Sequence, residues 1–429
     1  FRRVLFRSKN DYLQHCKDSK IKPRYIKNLI KLTPDTNLAS LLNLGEKEFI
    51  NKYKNINSDK KYLNEILISI IKSVSVNLTE IKELSCDCSI ASDLIISGLN
   101  IMNLHISAKN IKQFTDKLAE CDIELLGQIN MLREARFGIP QLSQVSYSTV
   151  PNKAVMISGN NLYDLDNLLK FAKDKDIDIY TNGNLLKAHI YPYFKQYKNL
   201  RGHFGNDVIN IMLDFATFPG AILLTKNESQ NIEYLYRGRL FTTDNIVPKG
   251  VSKLDNNDFS PLINSALDAK GFARGRTKTG KFVGFDLNDF NMELDKLLMN
   301  NPKKLHIFGF SDLRPHNISD FKKFFNSMPD DEIAVSFSFN PDKNNVLHIN
   351  LAYDYALLQN ILSCIFNKVP LNSDILYLYF TKCDFNSLSN IIYLKNKGAK
   401  NIYLSACQPN IINPAVLNVF KKLYNIRSL

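Results

Sequence analysis

Cysteines are the residues of this sequence whose type is best suited to metal or redox chemistry. They stand at positions 16, 86, 88, 121, 364, 383 and 407. Metal and iron–sulfur sites use several thiolates at short, repeated spacings. Only Cys86 and Cys88 lie close together in the sequence, and no second pair accompanies them. We therefore predict free thiols in a reducing compartment, with Cys86 and Cys88 half-buried on or near a helix.

A basic, glycine-containing segment, GFARGRTKTGKF at 271–282, is a second candidate for chemistry. Loops of this composition bind phosphate when their glycines, lysine and hydroxyl residue have the P-loop spacing and follow a strand. The segment lacks that spacing, and no clear strand precedes it. We interpret it as a solvated linker.

Histidines are scarce and dispersed, so no Ser-His-Asp arrangement can be read from the sequence. His189 in AHIYP and His203 in GHFG are each expected to be hydrogen-bonded structural residues. Tyr191 is expected in the core, with its hydroxyl bonded.

The pattern of apolar residues changes near residue 150. Up to about residue 150, apolar residues recur at helical spacing in 63–78, 92–106 and 111–136, with Asn77 and Asp93 near predicted helix ends. From residue 153, short apolar runs alternate with helical segments, which indicates parallel strands joined by right-handed crossovers. We predict an α/β fold with an N-terminal helical domain followed by two Rossmann-like parallel α/β domains.

The predicted domains are 1–150, 151–280 and 281–429, with Phe1–Ser8 excluded as a non-native remnant. Strands are predicted at 153–157, 177–181, 221–225, 304–309, 333–337, 374–380 and 400–404. Helices are predicted at 162–172, 206–218, 288–300, 317–327, 351–366, 384–396 and 413–424.

The net charge of +13 is spread over every segment. No basic stripe with interleaved aromatic residues appears, so we expect no nucleic-acid partner. No apolar run approaches the roughly 18 residues of a membrane-spanning helix, so no membrane association is expected. We expect a cytoplasmic protein. The segment FRRVLFRS is rich in arginine, as organelle-targeting segments are, so a location in a mitochondrion-related organelle is an alternative.

Several sequence blocks resemble the hybrid-cluster (prismane) protein family, which includes hydroxylamine reductases. From about residue 145 to 429 the blocks follow the family's order: ISGNNLYDL, YTNGNLLKAHIYPYFKQY, GHFG, FPGAILLT, LHIFGFSD, SMPDDEI, LAYDYALLQNIL, KNKGAKNIYL and NPAVLNVFKKLYNI. Residues 9–150 are similar to a shortened form of the family's helical domain. The resemblance implies a prismane-like fold, two iron–sulfur clusters, reduction of hydroxylamine and a link to nitrosative stress.

The same resemblance locates the family's ligands for a mixed iron–sulfur–oxygen cluster. No thiolate remains at any matched position, and amides and apolar side chains coordinate iron poorly. The matched positions are Asn160 for the histidine, Asn184 for a glutamate, Glu228, Ser311, Phe339 and Ala352 for the cysteines, and Asp384 for the last glutamate.

An emptied cluster site would leave a cavity, which costs about 24 cal/mol per Å³. Phe310, Leu313, Phe339 and Tyr353 add bulk at or beside the matched positions. We therefore predict a collapsed site plugged by apolar side chains.

On this basis we expect a degenerate scaffold without iron–sulfur clusters or reductase activity, and no catalytic, cofactor-binding or metal-binding residue. Its expected role is binding or structural, with an active relative or another protein as partner.

Two alternatives stay open. One is an active hydroxylamine reductase-type iron–sulfur oxidoreductase for nitrogen-oxide stress. The other is a repurposed, cluster-free enzyme in which Glu228 and Asp384 form a carboxylate pair.

Overall fold

The computed structural model describes most of the chain from residue 58 onwards. The described residues are 14, 16–18, 20, 39–40, 42–45, 58–86, 88–102, 106–205, 211–225, 238–244, 247, 250–255, 257–308, 315–337, 340–351, 354–381, 384–404 and 414–428. Among them, no helix has the length and apolar character needed to cross a lipid bilayer. The domain limits at residues 150 and 280 stay predictions.

Long helices form the first part of the described chain: α1 (Ser58–Glu83), α2 (Ser89–Ile101) and α3 (Ala108–Phe137). α1 packs against α3 because apolar residues at helical spacing, such as Leu67 and Ile71, are fully buried between them. The three segments predicted as helical are confirmed.

The helix end expected near Asn77 is wrong, since Asn77 lies inside α1, whereas Asp93 lies close to the start of α2 at Ser89. The Asn77 side chain turns inward, and its Nδ2 donates to Asp122 Oδ1 at 2.8 Å. Asn77 is tolerated inside the helix because its partner lies on another helix.

β1 (Ser143–Val145) precedes the first sheet in the chain. The strands of this sheet are β2 (Ala154–Ser158), β3 (Asp178–Asn182), β4 (Leu200–His203), β5 (Ala221–Leu224), β6 (Leu240–Thr242) and β7 (Ser252–Lys253). They are parallel and lie in the order β4-β3-β2-β5-β6-β7. β2, β3 and β5 are buried along their whole length, so they appear in the sequence as continuous apolar runs. Those strands were predicted, whereas the short strands β4, β6 and β7 were not.

Helices connect the strands of this sheet. They are α4 (Leu162–Phe171), 3₁₀ helices at Gly183–Ile190 and Pro192–Gln196, α5 (Ile211–Thr217) and α6 (Ser260–Asp268). Asn161 caps α4 by accepting hydrogen bonds from the backbone of Tyr163 and Asp164, at 2.9 and 3.0 Å. Gly183, with a φ of 63°, turns the chain from β3 directly into the first 3₁₀ helix.

The last part of the chain forms a second sheet with its connecting helices. The elements of this region are β8 (Lys281–Val283), α7 (Leu287–Leu298), β9 (Lys304–Phe308), α8 (Pro315–Ser327), β10 (Glu332–Ser336), β11 (Val346–His348), α9 (Tyr355–Lys368), β12 (Leu376–Phe380), α10 (Phe385–Asn396), β13 (Asn401–Leu404), α11 (Pro414–Leu423) and β14 (Arg427–Ser428). The second sheet is also parallel, in the order β11-β10-β9-β12-β13-β14. The predicted strands and helices of this region are confirmed to within a few residues.

The segment predicted as a solvated linker, 271–282, is mostly exposed, but it is paired with an earlier part of the chain. β8 pairs antiparallel with β1, and isolated bridges join Arg276 to Thr149 and Phe272 to Asn152. The segment is solvated as expected, whereas the interpretation as a linker missed this pairing. Its pairing partner lies more than a hundred residues earlier in the sequence, so local composition did not indicate it.

A substitution at Gly220, directly before β5, tests how closely the chain approaches β2 at this point. A Cβ atom at this position would lie 2.0 Å from the backbone oxygen of Ala154. We expect Gly220→Ala to lower the free energy of unfolding by about 1–3 kcal/mol, because the strands must separate to admit the methyl group.

Gly127 in α3 is the matched control, since a Cβ atom there would meet nothing within 4 Å. Gly127→Ala should raise the free energy of unfolding by about 0.5–1 kcal/mol, because alanine favours the helix. Urea unfolding followed by circular dichroism measures both changes. Changes of the same sign in the two variants would contradict the close approach.

Candidate functional site

A cavity of about 310 Å³ lies where α1 and α3 meet the loops of both sheets. Strand order reverses between β2 and β5 in the first sheet and between β9 and β12 in the second. Open parallel sheets bind ligands at such switch points. The polar residues of the cavity wall include Asn77, Glu80, Glu83, Arg133, Asn160, Asn161, Asn184, Asp354, Asp384 and Asn386.

Asp354 joins separate parts of this wall through ion pairs. Its Oδ1 lies 2.9 Å from Arg133 Nη1, and its Oδ2 contacts the Lys187 ammonium group. Arg133 Nε also donates to Glu80 Oε1 at 2.6 Å, and Lys187 Nζ donates to Asn160 Oδ1 at 2.6 Å. Asp354, Arg133 and Lys187 are at most 5% exposed, so solvent hardly screens these pairs.

The charges of this network depend on one another. Burial alone would raise the pKa of Asp354, but Arg133 and Lys187 hold it well below its usual range. Burial and the nearby Arg133 lower the pKa of Lys187, while Asp354 and Glu80 oppose that decrease. Burial acts to lower the pKa of Arg133, and Asp354 and Glu80 more than offset it. The cations keep the carboxylate of Asp354 ionised, and the carboxylates of Asp354 and Glu80 offset the free-energy cost of burying the cations.

Local structure explains how these side chains reach the cavity. Asp354 is the N-cap of α9, and its Oδ1 accepts from the backbone N–H of Leu357 at 3.1 Å. Lys187 lies in the 3₁₀ helix that begins at Gly183, directly after β3. Asn160 follows β2, and its backbone N–H donates to Thr225 Oγ1 at 3.1 Å, just beyond β5.

Three of the positions matched to family ligands line this cavity: Asn160, Asn184 and Asp384. Asn160 accepts from Lys187, as described above. Asn184 makes no side-chain hydrogen bond with residues of the described chain. Asp384 caps α10, where its Oδ1 accepts from the backbone N–H of Ser387 at 2.8 Å.

The remaining matched positions, Glu228, Ser311, Phe339 and Ala352, lie outside the described residues, as do Phe310, Leu313 and Tyr353. The prediction of a collapsed, apolar-plugged site therefore stays a prediction, because the residues expected to fill the site are outside the described part of the chain. Asn160, Asn184 and Asp384 meet around an open cavity whose wall carries amides and charged groups.

Asp122 supports polar residues of the wall from behind. Asp122 of α3 is fully buried, and it accepts from Ser73 Oγ at 2.6 Å and from Asn77 Nδ2 at 2.8 Å. Ser73 and Asn77 also contact Asn386 Oδ1, at 2.5 and 3.4 Å. Burial raises the pKa of Asp122 to about 6, although these hydrogen bonds lower it.

His189 and His203 occupy structural positions near the first sheet. Thr181 Oγ1 lies 2.8 Å from His189 Nε2 and 2.9 Å from His203 Nδ1, which confirms that both imidazoles are hydrogen-bonded. Burial lowers the pKa of His189 to about 4 and that of His203 to about 3, so both are neutral at neutral pH. The expectation for Tyr191 is only half right. The ring is buried, but its hydroxyl has no hydrogen bond of normal geometry within the described chain.

The described cysteines take no part in the cavity. Cys16, Cys86, Cys88, Cys121 and Cys364 are free thiols, and none of them lines the wall. Cys88 is half-buried at the start of α2 as expected, whereas Cys86 is exposed. Burial raises the pKa of Cys121 to about 12, which keeps that residue a thiol. The remaining cysteines, 383 and 407, lie outside the described residues.

Sequence patterns did not point to Arg133, Lys187 or Asp354. The available signal was Lys187 within the run LLKAHI, since a charged residue in an apolar, buried segment requires a partner. Nothing local indicated that the partner would be Asp354, 167 residues away.

Comparisons with known proteins point to one family. The model of the Prismane/CO dehydrogenase family matches residues 13–333. Hydroxylamine reductase of Thermodesulfovibrio yellowstonii is 27% identical over 93% of this chain and 78% of its own length. Hydroxylamine reductase of Methanocella arvoryzae is 30% identical over 72% of this chain and 60% of its own length.

A solved structure has a similar fold at low sequence identity. It contains the alpha subunits of acetyl-CoA synthase/carbon monoxide dehydrogenase, with NiZn[Fe4S4] and NiNi[Fe4S4] clusters. The TM-score is 0.53 at 9% identity, over 99% of this chain and 76% of the other. At this identity the likeness shows the fold alone.

Asp354→Asn tests the buried ion pairs. The substitution leaves the Lys187 and Arg133 cations without their shared carboxylate, so we expect the free energy of unfolding to fall by about 3–5 kcal/mol. Asp295→Asn is the control, because that half-exposed carboxylate pairs with Lys368 at the surface and should contribute about 1 kcal/mol or less. Similar small losses in both variants in urea unfolding would contradict a buried network.

Asp122 should make stability depend on pH. The ordinary pKa of aspartate is about 3.9, and the folded value is raised to about 6. Between these values the folded protein holds a proton that the unfolded chain releases. The free energy of unfolding should therefore fall as pH rises from about 4 to about 6.

Asp122→Asn should remove this part of the pH dependence and raise stability at pH 8 by about 2–3 kcal/mol. The amide also keeps partners, because Ser73 can donate to Asn386 and accept from the new amide. Urea unfolding between pH 4.5 and 8 measures the effect. An unchanged slope in the variant would show that Asp122 does not bind the proton.

Proposed function

The chain belongs to the Prismane/CO dehydrogenase family, and we propose that it is a binding or structural member whose central site is held by ion pairs instead of an iron–sulfur–oxygen cluster. The observation that carries the proposal is the buried Lys187 ammonium group. It contacts Asp354 and donates to Asn160, which corresponds by resemblance to a histidine ligand of the family.

The described residues around the cavity do not fit an iron–sulfur cluster. Such clusters are held mainly by thiolates, and no described cysteine contributes to the wall. Asn160 and Asn184 offer amides, which coordinate iron poorly, and Asp384 uses a carboxylate oxygen to cap α10. Within the described residues, no three His, Cys, Asp or Glu side chains are arranged to hold a metal ion.

Fixed cations already occupy two carboxylates at the cavity. Arg133 lines the cavity and pairs with Glu80 and Asp354, and the fully buried Lys187 contacts Asp354 from outside the wall. Like charges about 4 Å apart repel by about 4 kcal/mol at an effective dielectric constant of 20. A metal ion bound to Asp354 would have to displace the ammonium and guanidinium groups, which would leave buried charges without partners.

The second candidate is a repurposed, cluster-free enzyme. The open cavity favours it, because Asp384 and the amide of Asn184 line a space that a small polar molecule could enter. Glu228, the other member of the expected carboxylate pair, lies outside the described residues. A reductase that retains its clusters is the alternative suggested by the names of the relatives. The expected partner, an active family member or another protein, stays a prediction.

Metal analysis of anaerobically purified protein tests the proposal. We expect substoichiometric iron and acid-labile sulfide and no visible absorbance band, because no described residue of the cavity wall is a thiolate. We also expect no reduction of hydroxylamine with reduced methyl viologen as electron donor.

The Thermodesulfovibrio yellowstonii hydroxylamine reductase, prepared in the same way, is the positive control for the activity assay. Stoichiometric iron and sulfide with visible absorbance in the native chain would overturn the proposal. Turnover of hydroxylamine without iron would instead favour the cluster-free enzyme.

A further inference from the structure

A second cavity, of about 470 Å³, lies beside β4 at the edge of the first sheet. It shares no lining residue with the cavity beneath Asp354. Phe204 and Gly205, just after β4, form one wall, Asp214 of α5 contributes to another, and the segment 272–278 completes it. Its volume is within the range of about 300–1,000 Å³ that is typical of small-molecule sites.

Backbone pairing positions the basic residues of this cavity. Arg276 exchanges both backbone hydrogen bonds with Thr149, at 3.0 and 2.9 Å, which fixes this part of the segment against the chain before β2. A second bridge joins Phe272 to Asn152. The cavity is lined by Phe272, Arg274, Arg276 and Lys278. The segment that was expected to be a linker thus presents a row of cations to one cavity.

The charge of this wall is not balanced within the described chain. Arg274 and Arg276 are exposed, and their guanidinium groups have no ionic or hydrogen-bonded partner among the described residues. Lys278 Nζ donates to the backbone oxygen of Gly205 at 3.3 Å. Asp214 is the carboxylate on this wall in the described chain, and its Oδ2 accepts from Asn182 at 3.0 Å. The surplus of positive charge indicates an anionic ligand, since guanidinium groups bind phosphate oxygens in bidentate pairs.

Aromatic rings line the same cavity. Phe204 and Phe272 are half-buried, and their centroids lie 6.0 Å apart. Both rings pack edge-on against Phe218, at 5.1 and 5.5 Å, so they are held in place from below. A fixed, partly exposed ring offers a flat apolar surface on which a nucleobase stacks.

We propose that this cavity binds a mononucleotide, such as a nucleoside diphosphate. Its phosphates contact Arg274 and Arg276, and its base packs against Phe204 and Phe272. The hydroxyl of Thr149 and the carboxylate of Asp214, on the same wall, are hydrogen-bonding groups for the sugar. The site does not depend on whether the central cavity holds a cluster, so either proposal can fail without the other.

Isothermal titration calorimetry of the full chain with ADP tests this site. We expect saturable binding to the native protein and a loss of affinity of about tenfold or more in the double variant Arg274→Gln, Arg276→Gln. The control is Lys173→Gln, Lys198→Gln, which removes the same charge from exposed positions outside the cavity and should leave the affinity unchanged. Circular dichroism establishes that each variant is folded.

Simpler probes separate the two halves of the ligand. Adenosine lacks the phosphates and inorganic phosphate lacks the base, so each should bind about tenfold or more weakly than ADP. Raising the salt concentration should weaken ADP binding, since exposed cations are screened. No binding of ADP by the native chain, or equal affinity in the arginine and lysine double variants, would overturn the proposal. Affinity for inorganic phosphate equal to that for ADP would overturn the base contact.

Discussion

Asp354 lies buried between Arg133 and Lys187, and the junction of the long helices with both sheets depends on this contact. Arg133 belongs to α3, Lys187 to the 3₁₀ helix after β3, and Asp354 to the start of α9. One carboxylate therefore connects the helical segment with elements of both sheets. Asp354 stays ionised because Arg133 and Lys187 are present, and each cation depends on a carboxylate partner, since burial excludes the water that would otherwise solvate it.

The same ion pairs explain why the cavity beneath them stays hollow and polar. An apolar side chain packed against Lys187 or Asp354 would remove hydrogen-bond partners without replacing them. Amides satisfy these charges without adding another, and Asn160 does so by accepting from Lys187. A site whose wall is stabilised by charge is thus preserved as a cavity. Apolar side chains in the cavity would remove the free-energy cost of the empty space, but they would raise the cost of desolvating the charged groups of the wall.

Charge balance distinguishes the two cavities. Around Asp354 each cation has a carboxylate partner, so the network is complete without a ligand. Beside β4 the Arg274 and Arg276 side chains have no such partner within the described residues, although their backbone is fixed by pairing with the chain around Thr149. The first arrangement stabilises the fold, and the second is suited to binding an anion from solution.

The parallel α/β architecture can be predicted from the sequence, because strands buried along their whole length, such as Ala154–Ser158 and Ala221–Leu224, are mostly apolar runs. The resemblance to a known family also grouped Asn160, Asn184 and Asp384, which do line one cavity. The three-dimensional structure was needed to show that charged groups and amides line this cavity and that Arg276 lines another. Arg133 and Asp354 are 221 residues apart, and Arg276 pairs with Thr149 in a distant segment. The partner of a charge is set by such long-range contacts, and no local pattern of residue types encodes them.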